Sequence, residues 1–406
     1  MTLRAIKPGA PLRSESDDET LHRNWRIVRR QFFKKKIPVL ALLVLCFLFC
    51  LAVFAPFLAG SRPLILHDGY KLTFPVFTAF TAEDFLWLSG FGIIVLTGIF
   101  NALLRRRQRK RDIQAPRKTA CICFILLLSA IAICMAACWP ERIDRFDYSA
   151  YRDGRTAAPL CLMPLVPWSP LEFSLSNPVA RPSAQHWLGT DPIGRDLLAR
   201  IIHGARVSMA VGFVAVLFYV LIGVLVGSVA GYFGRMPDLV LSRVIEVVLC
   251  FPVLFTILAV LCFLPPSVFW VMILIGLFRW PKMARLVRGE FLRLKNQDFV
   301  LAARALGLSH LRIIMQILPN SLGPVFVAAT FGVAEAILLE SGLSFLGFGV
   351  QPPTPAWGEM LAGGKKYMEQ AWWLTVYPGL AIFMAITAFN LVGEGLRDAL
   401  DPRMKH

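Results

Sequence analysis

Charge is scarce in this chain of 406 residues: 17% are Asp, Glu, Lys or Arg, against 56% hydrophobic. Soluble domains carry about a quarter charged residues, so the composition excludes an ordinary water-soluble domain. Acids are scarcer still, 26 Asp and Glu against 43 Lys and Arg, for a formal net charge of +17. Such an excess would suit nucleic acid, but no aromatic-basic module accompanies the basic runs, and no nucleic-acid partner is expected. Paired cysteines are missing too. Of nine cysteines, eight lie in or near apolar runs, and Cys161 stands alone outside them. Neither Cys121 with Cys123 nor Cys134 with Cys138 has the second pair or His cluster that a zinc site needs, so no metal is expected. The chain lacks G-x-x-x-x-G-K-[ST]; "AGGKK" at 362–366 fails the spacing, and no bound nucleotide is expected. His186, His203 and His310 are scattered without a nucleophile–base pair or a His–Glu set, so the chain does not read as an enzyme. A polar start in place of an apolar one leaves no visible cleavable signal peptide, and no clear internal repeat is present.

Long apolar runs are abundant. Scanning for stretches near the 20 residues needed to cross a bilayer yields about eight candidate spans: 37–59, 85–104, 119–139, 207–232, 239–264, 267–288, 321–346 and 373–396. The expected fold is therefore an all-α polytopic membrane protein. Bases crowd beside these runs. Arg23, Arg26, Arg29, Arg30, Lys34, Lys35 and Lys36 precede the first, and "RRRQRKRDIQAPRK" (105–118) puts eight bases and one acid between the second and third. Cytoplasmic flanks carry such excesses, so both termini and the 105–118 loop are expected in the cytoplasm. Segment 140–206, where Glu141, Asp144, Asp147 and Asp153 nearly balance Arg142, Arg145, Arg152 and Arg155, is expected outside.

The expected organisation follows from these spans. A basic tail (1–36) leads to the first span (37–59). Segment 60–140 holds an outside stretch and a membrane hairpin. Segment 141–206 is an outside cap, rich in turn-formers, closed by an amphipathic interfacial helix with Leu197, Leu198, Ile201 and Ile202 on its apolar stripe and Arg195, Asp196 and Arg200 at polar positions. Residues 207–406 form the main membrane domain.

Within that domain, 289–320 is a long cytoplasmic loop, and long ordered loops tend to be functional. "DFVLAARAL" reads as a short helix ended by Gly307. Ser309 can cap a second, "HLRIIMQIL", which Pro319 would close. Ala302, Ala303 and Gly307 leave little bulk, so another backbone could approach closely. These residues resemble the coupling motif of ABC importer permeases: an Ala-Ala pair, a Gly four residues later, then Ile-x-Leu-Pro, here Ala302, Ala303, Gly307 and, without the intervening residue, Ile317, Leu318 and Pro319. Leu301 stands where the general motif has Glu, and the Gly-to-Pro distance is one residue shorter than usual. "LGTDPIGRDLLARIIHGARVS" (188–208), "RWPKMARLVRGE" (279–290), "ESGLSFLGFGVQPPTPAWGEML" (340–361) and "LRDALDPR" (396–403) extend the resemblance to the C-type subunit of oligopeptide/dipeptide importers. Residues 62–85 are similar to the enlarged outside segment of Yej-type peptide permeases.

The resemblance implies a type I ABC importer permease fold in the C-terminal part and a bacterial inner-membrane location. It implies a second permease subunit, two ABC ATPase domains that bind ATP and Mg, an extracytoplasmic solute-binding protein, and surrounding lipid. It also implies that Ala302, Ala303, Gly307 and Leu308 contact an ATPase, with Arg304 and Arg312 at the rim. Two alternatives from other classes stay open: an ion-coupled secondary transporter using Glu335, and a membrane scaffold holding acidic partners through 105–118.

Glu335 and Glu340 lie inside an apolar run, where a carboxylate costs roughly 2.5–3.5 kcal/mol and usually faces a wet cavity or a partner. Each reads either as pathway lining or as a structural hydrogen-bonding group, and five residues of separation keep them off one helical face. Gly223, Gly227 and Gly231 form a small-xxx-small stripe suited to close helix packing. Pro252 and Pro281 are expected to kink their spans. Trp357, Trp372 and Trp373 read as membrane-interface residues, and the loop holding Trp357 is where a binding protein would land.

Overall fold

A computed structural model describes residues 28–67, 71–111, 117–137, 148–153, 160–175 and 177–400. The far N-terminal tail (1–27), the centre of the basic loop (112–116) and Cys138 lie outside these residues. The apolar runs become helices: α1 (Lys36–Val53), α2 (Ala82–Arg111), α3 (Arg117–Ala137), α4 (Leu197–Phe233), α5 (Arg235–Cys250), α6 (Val253–Leu261), α7 (Val268–Leu294), α8 (Asp298–Ala305), α9 (His310–Phe345), α10 (Trp357–Gly364) and α11 (Trp373–Leu400).

Among the described residues, five helices are long and apolar enough to cross a membrane: α1, the Ala82–Ala102 part of α2, α4, α9 and α11. The count reaches six if α5 and α6, bent by 77° at their junction, make one broken span. Eight is not reached, for identifiable reasons. Pro252 sits in the α5–α6 break, lacking an N–H and setting the bend. Helix α7 occupies the sixth expected span, but Arg279, Lys282 and Arg285 make it too polar for the same test. Only Ile125–Ala136 of α3 is described as apolar helix, too short for it. Pro281, by contrast, lies within a continuous α7.

Helix α4 is the central post. Its glycine stripe meets α7 directly: a Cβ on Gly223 would press into Met283, one on Gly227 into the Ala284 carbonyl and Val287, and one on Gly231 into Phe291 and the Arg288 carbonyl. The absent side chains are what let the two backbones close. Helix α9 packs on α4, α7 and α11, and α11 packs on α1. Leu197, Met209, Tyr219, Met283, Val287, Phe291, Ile313, Ile317, Ile337, Trp357 and Phe389 belong to one continuous core.

The expected interfacial helix does not exist as a separate element. Residues 197–206 are the first turns of α4, and Arg200 and Arg206 are interior, at 1% and 7% exposure. The cap is also not wholly irregular. It contains a small antiparallel sheet in the order β2 (Leu72–Thr73), β1 (Ile65–His67), β3 (Leu160–Leu162), with Leu66 opposite both Thr73 and Cys161.

Contacts sort the helix ends onto two sides. On one, Lys295 Nζ donates to the Gly231 carbonyl at 3.1 Å, Tyr232 Oη and His310 Nδ1 are 2.9 Å apart, and Lys35 pairs with Asp398 at 2.6 Å. On the other lie the cap, the start of α4 and α10.

Candidate functional site

The segment 289–320 is helical almost throughout: the end of α7, all of α8, and the start of α9. Between α8 and α9 the chain makes a paired-bond helix stop. Leu308 N–H donates to the Ala303 carbonyl at 3.1 Å and Gly307 N–H to the Arg304 carbonyl at 2.9 Å, with Gly307 at φ +73°. A left-handed glycine at this position is what such a stop requires. Ser309 occupies the expected N-cap in extended conformation, but its hydroxyl makes no capping hydrogen bond. The second helix does not close at Pro319. Helix α9 runs from His310 to Phe345 with Pro319 and Pro324 inside it. Membrane helices tolerate such prolines because surrounding protein and local adjustments satisfy the freed carbonyls.

The loop has two faces. Val300, Ala303, Ile313 and Ile317 are buried in the core, at 0–5% exposure. On the other face Leu301, Leu306, Leu311 and Met315 stand in the open, with Leu306 at 81%. Ala302, Gly307 and Arg312 are exposed with them, and Leu308 is half-buried against the core. A Cβ on Gly307 would meet nothing within 4 Å. Arg304 is exposed, with its guanidinium carbon 5.6 Å from the Tyr232 ring centroid. Of the six residues expected at the contact, Ala303 alone is interior.

The membrane carboxylates separate. Glu340 is fully buried, accepting from Ser344 Oγ at 2.7 Å and Ser341 Oγ at 3.4 Å. It faces protein, which is its structural reading, and does not line an opening. Glu335 projects from the opposite side of α9, half exposed, and ion-pairs with Arg279 of α7.

Trp357 is not at the outer surface. It is 1% exposed, its indole N–H donates to the Ile201 carbonyl at 3.0 Å, and its backbone N–H donates to Ser208 Oγ at 3.3 Å. Gly204 leaves the space for its ring. Trp373 is buried as well, while Trp372 is exposed. The outer loop therefore offers no Trp357 side chain to a binding protein.

Around Trp357 lies a polar hub that sequence reading missed. Arg200 donates to Glu359 of α10 at 2.6 Å and to the Pro170 carbonyl at 3.3 Å. Asp191 holds Arg195 at 2.6 Å and accepts from the Ile193 and Arg195 N–H groups. Asp196 caps α4 through the Ala199 N–H at 2.8 Å and meets His186 Nδ1 at 2.8 Å. Burial pushes the Glu359 carboxyl above the usual carboxylate range, against the opposing pull of Arg200. Burial likewise raises Asp196, although the Ala199 N–H and His186 pull it down. A second interior pair joins Arg206 of α4 to Asp84 at the start of α2, and Arg206 also donates to the Val53 carbonyl at 3.2 Å. The available signal was an arginine inside the apolar run "LLARIIHGARVSM", which has to find a partner.

With five or six helices long and apolar enough to cross a membrane among the described residues, the fold defines an α-helical multi-pass membrane protein. Residues 220–406 match the family described as the binding-protein-dependent transport system inner membrane component, and residues 24–72 match the N-terminal TM domain of oligopeptide transport permease C. Over 235 residues the chain is 43% identical to the dipeptide transport system permease of Alkalihalophilus pseudofirmus, covering 58% of this chain and 77% of that one. It is 42% identical over 224 residues to a di/tripeptide transport system permease of Pseudomonas aeruginosa (55% and 74% covered). It is 40% identical over 243 residues to a dipeptide transport system permease of Bacillus subtilis (59% and 76% covered). The chain belongs to the oligopeptide/dipeptide family of ABC importer permeases. Its family is that of multi-pass inner-membrane components working with ATPase and substrate-binding partners.

Proposed function

We propose that this chain is one of two permease subunits in a bacterial importer of peptides or related small solutes. It pairs with a second homologous permease, two ABC ATPase domains that bind ATP and Mg, and an extracytoplasmic solute-binding protein. The chain itself carries no nucleotide or cofactor, and each of its termini lies in the cytoplasm. The Lys35–Asp398 pair supports a common side for both, since it sets the start of α1 beside the end of α11.

One observation carries the reading: the α8–Gly307–α9 turn is fixed to the core by Val300, Ala303 and Ile313, yet presents Leu301, Leu306 and Leu311 to a partner. A push on Leu311 acts directly on α9, because that helix runs unbroken from His310 to Phe345. Gly307→Asp tests it. Aspartate tolerates the left-handed conformation, and the position is open, so the fold survives while an unpaired charge enters the docking face at a cost of several kcal/mol to assembly. Purified gently from its native membrane, the wild-type chain should bring a P-loop ATPase with it, and the Gly307→Asp chain should insert normally but lose both the ATPase and uptake. Normal ATP-driven uptake by Gly307→Asp would refute the coupling role. Uptake that collapses with the ion gradient while ATP remains would favour a secondary transporter.

A further inference from the structure

Helix α7 carries three cations in succession, Arg279, Lys282 and Arg285, at membrane depth. At a rise of about 1.5 Å per residue, Arg279 lies about 16 Å from Val268, and Glu335 about 15 Å from Phe345, so the pair sits near mid-membrane. Among the described residues only Arg279 has a carboxylate partner, Glu335; Lys282 and Arg285 are exposed and unpaired. The wall thus holds three cations against one anion. Lipid is not its neighbour, because intramembrane charges face water-filled cavities or protein. The pair is also unsealed: Glu335 keeps 51% of its side chain exposed while bound to Arg279 at 18%. Finally, it straddles α7 and α9, so any relative movement of those helices makes or breaks it.

We infer that Arg279, Lys282 and Arg285 line the translocation pathway as a cationic wall that receives the carboxylates of passing solutes, with Glu335 occupying Arg279 when none is there. The inference rests on the importer reading and adds to it a site and a ligand chemistry: carboxylate-bearing, peptide-like solutes. Solute carboxylate displaces Glu335 from Arg279 and then descends past Lys282 and Arg285 toward the cytoplasm. Gly332 makes the arrangement possible by leaving room for the Tyr219 hydroxyl between the two helices, where a Cβ would collide with it.

The test uses the full complex in proteoliposomes, with its own binding protein and ATPases, and compares ATP-driven uptake of Ala-Glu and Ala-Lys. Lys282→Glu reverses one charge of the wall and leaves every other component the same, so the preference of the binding protein cancels between wild type and variant. The expected result is a fall of about threefold or more in the Ala-Glu to Ala-Lys uptake ratio. An unchanged ratio, with both peptides still entering, overturns the inference alone and makes this face a contact with the second permease. Entry of neither peptide through the wild type overturns the peptide-substrate part of the importer reading, and this inference with it. Should Lys282→Glu not assemble, Lys282→Cys serves: position 282, followed by mass spectrometry, should react faster with a sulfonate-bearing methanethiosulfonate than with an ammonium-bearing one, each rate taken relative to that reagent's rate with a free thiol in solution. Equal rates, a reversed order or no reaction there would overturn the wall.

Discussion

Arg200 shows how a single side chain organises the end of this protein that carries the cap. It is 1% exposed, and its Glu359 partner is 159 positions away in the chain. Removing one member of a buried pair strands the other charge, which costs about 3–5 kcal/mol. Glu359→Ala should therefore lower the thermal unfolding temperature of the purified complex far more than an alanine at exposed Glu369 does. Similar losses from the two would mean that the hub does not hold the cap. Trp357→Ala should cost about 3–5 kcal/mol by emptying its pocket over Gly204, and the same melting experiment reads it. From the sequence, Arg200 reads as a solvent-facing position on an amphipathic stripe, and Trp357 as an interface residue. Both readings fail for one reason: helical periodicity reports which side chains share a face, not what that face meets when the partner comes from a segment far along the chain. Gly307 was legible because its role is local, set by the helix that ends there.

At the level of elements, the glycine stripe of α4 was equally legible, and its consequence is specific. A Cβ on Gly227 would approach the Ala284 carbonyl to 2.5 Å, and backbone on both sides leaves little room to yield. Gly227→Leu should destabilise by about 1–3 kcal/mol or separate α4 from α7, seen as a lower melting temperature and poorer recovery of the intact complex. Helix α2 behaves in the opposite way. Its stretch 92–102 has no buried residue, so apolar exchanges there should stay within about 0.5 kcal/mol. Its first turns are rooted, where Asp84 meets Arg206, Trp87 stacks edge-on with Phe49 at 5.8 Å and Phe91 with Phe54 at 5.6 Å. Asp84→Ala, unlike those exchanges, should cost about 3–5 kcal/mol by leaving Arg206 alone in the interior. The hairpin's place in the order of apolar runs could be read from the sequence, but this anchor could not.

Across the whole molecule, α9, like α4, reaches from one side to the other, and Pro319 made it look shorter than it is. Its 36 residues at about 1.5 Å each span about 54 Å. Ile313 lies at one end, under the docking turn, and at the other Ser344 Oγ accepts from the Val350 N–H, next to the segment that leads into α10. Such a shaft is a lever: rotated by about 10° around its middle, it carries each tip about 5 Å in opposite directions. Under the proposed importer reading, a stroke delivered at the Gly307 end returns at the other end with the same amplitude and the reverse sign, so one mouth narrows as the other widens without any separate linkage. The shaft's stiffness becomes a functional quantity. Replacing Ala328 and Ala329 together by glycine, at about 1 kcal/mol each in helix propensity, should soften it, leaving ATP hydrolysis running while uptake falls. Equal losses of hydrolysis and uptake would contradict this. A compliant shaft would bend where a rigid one turns, and the work done below would be dissipated before reaching the outer mouth.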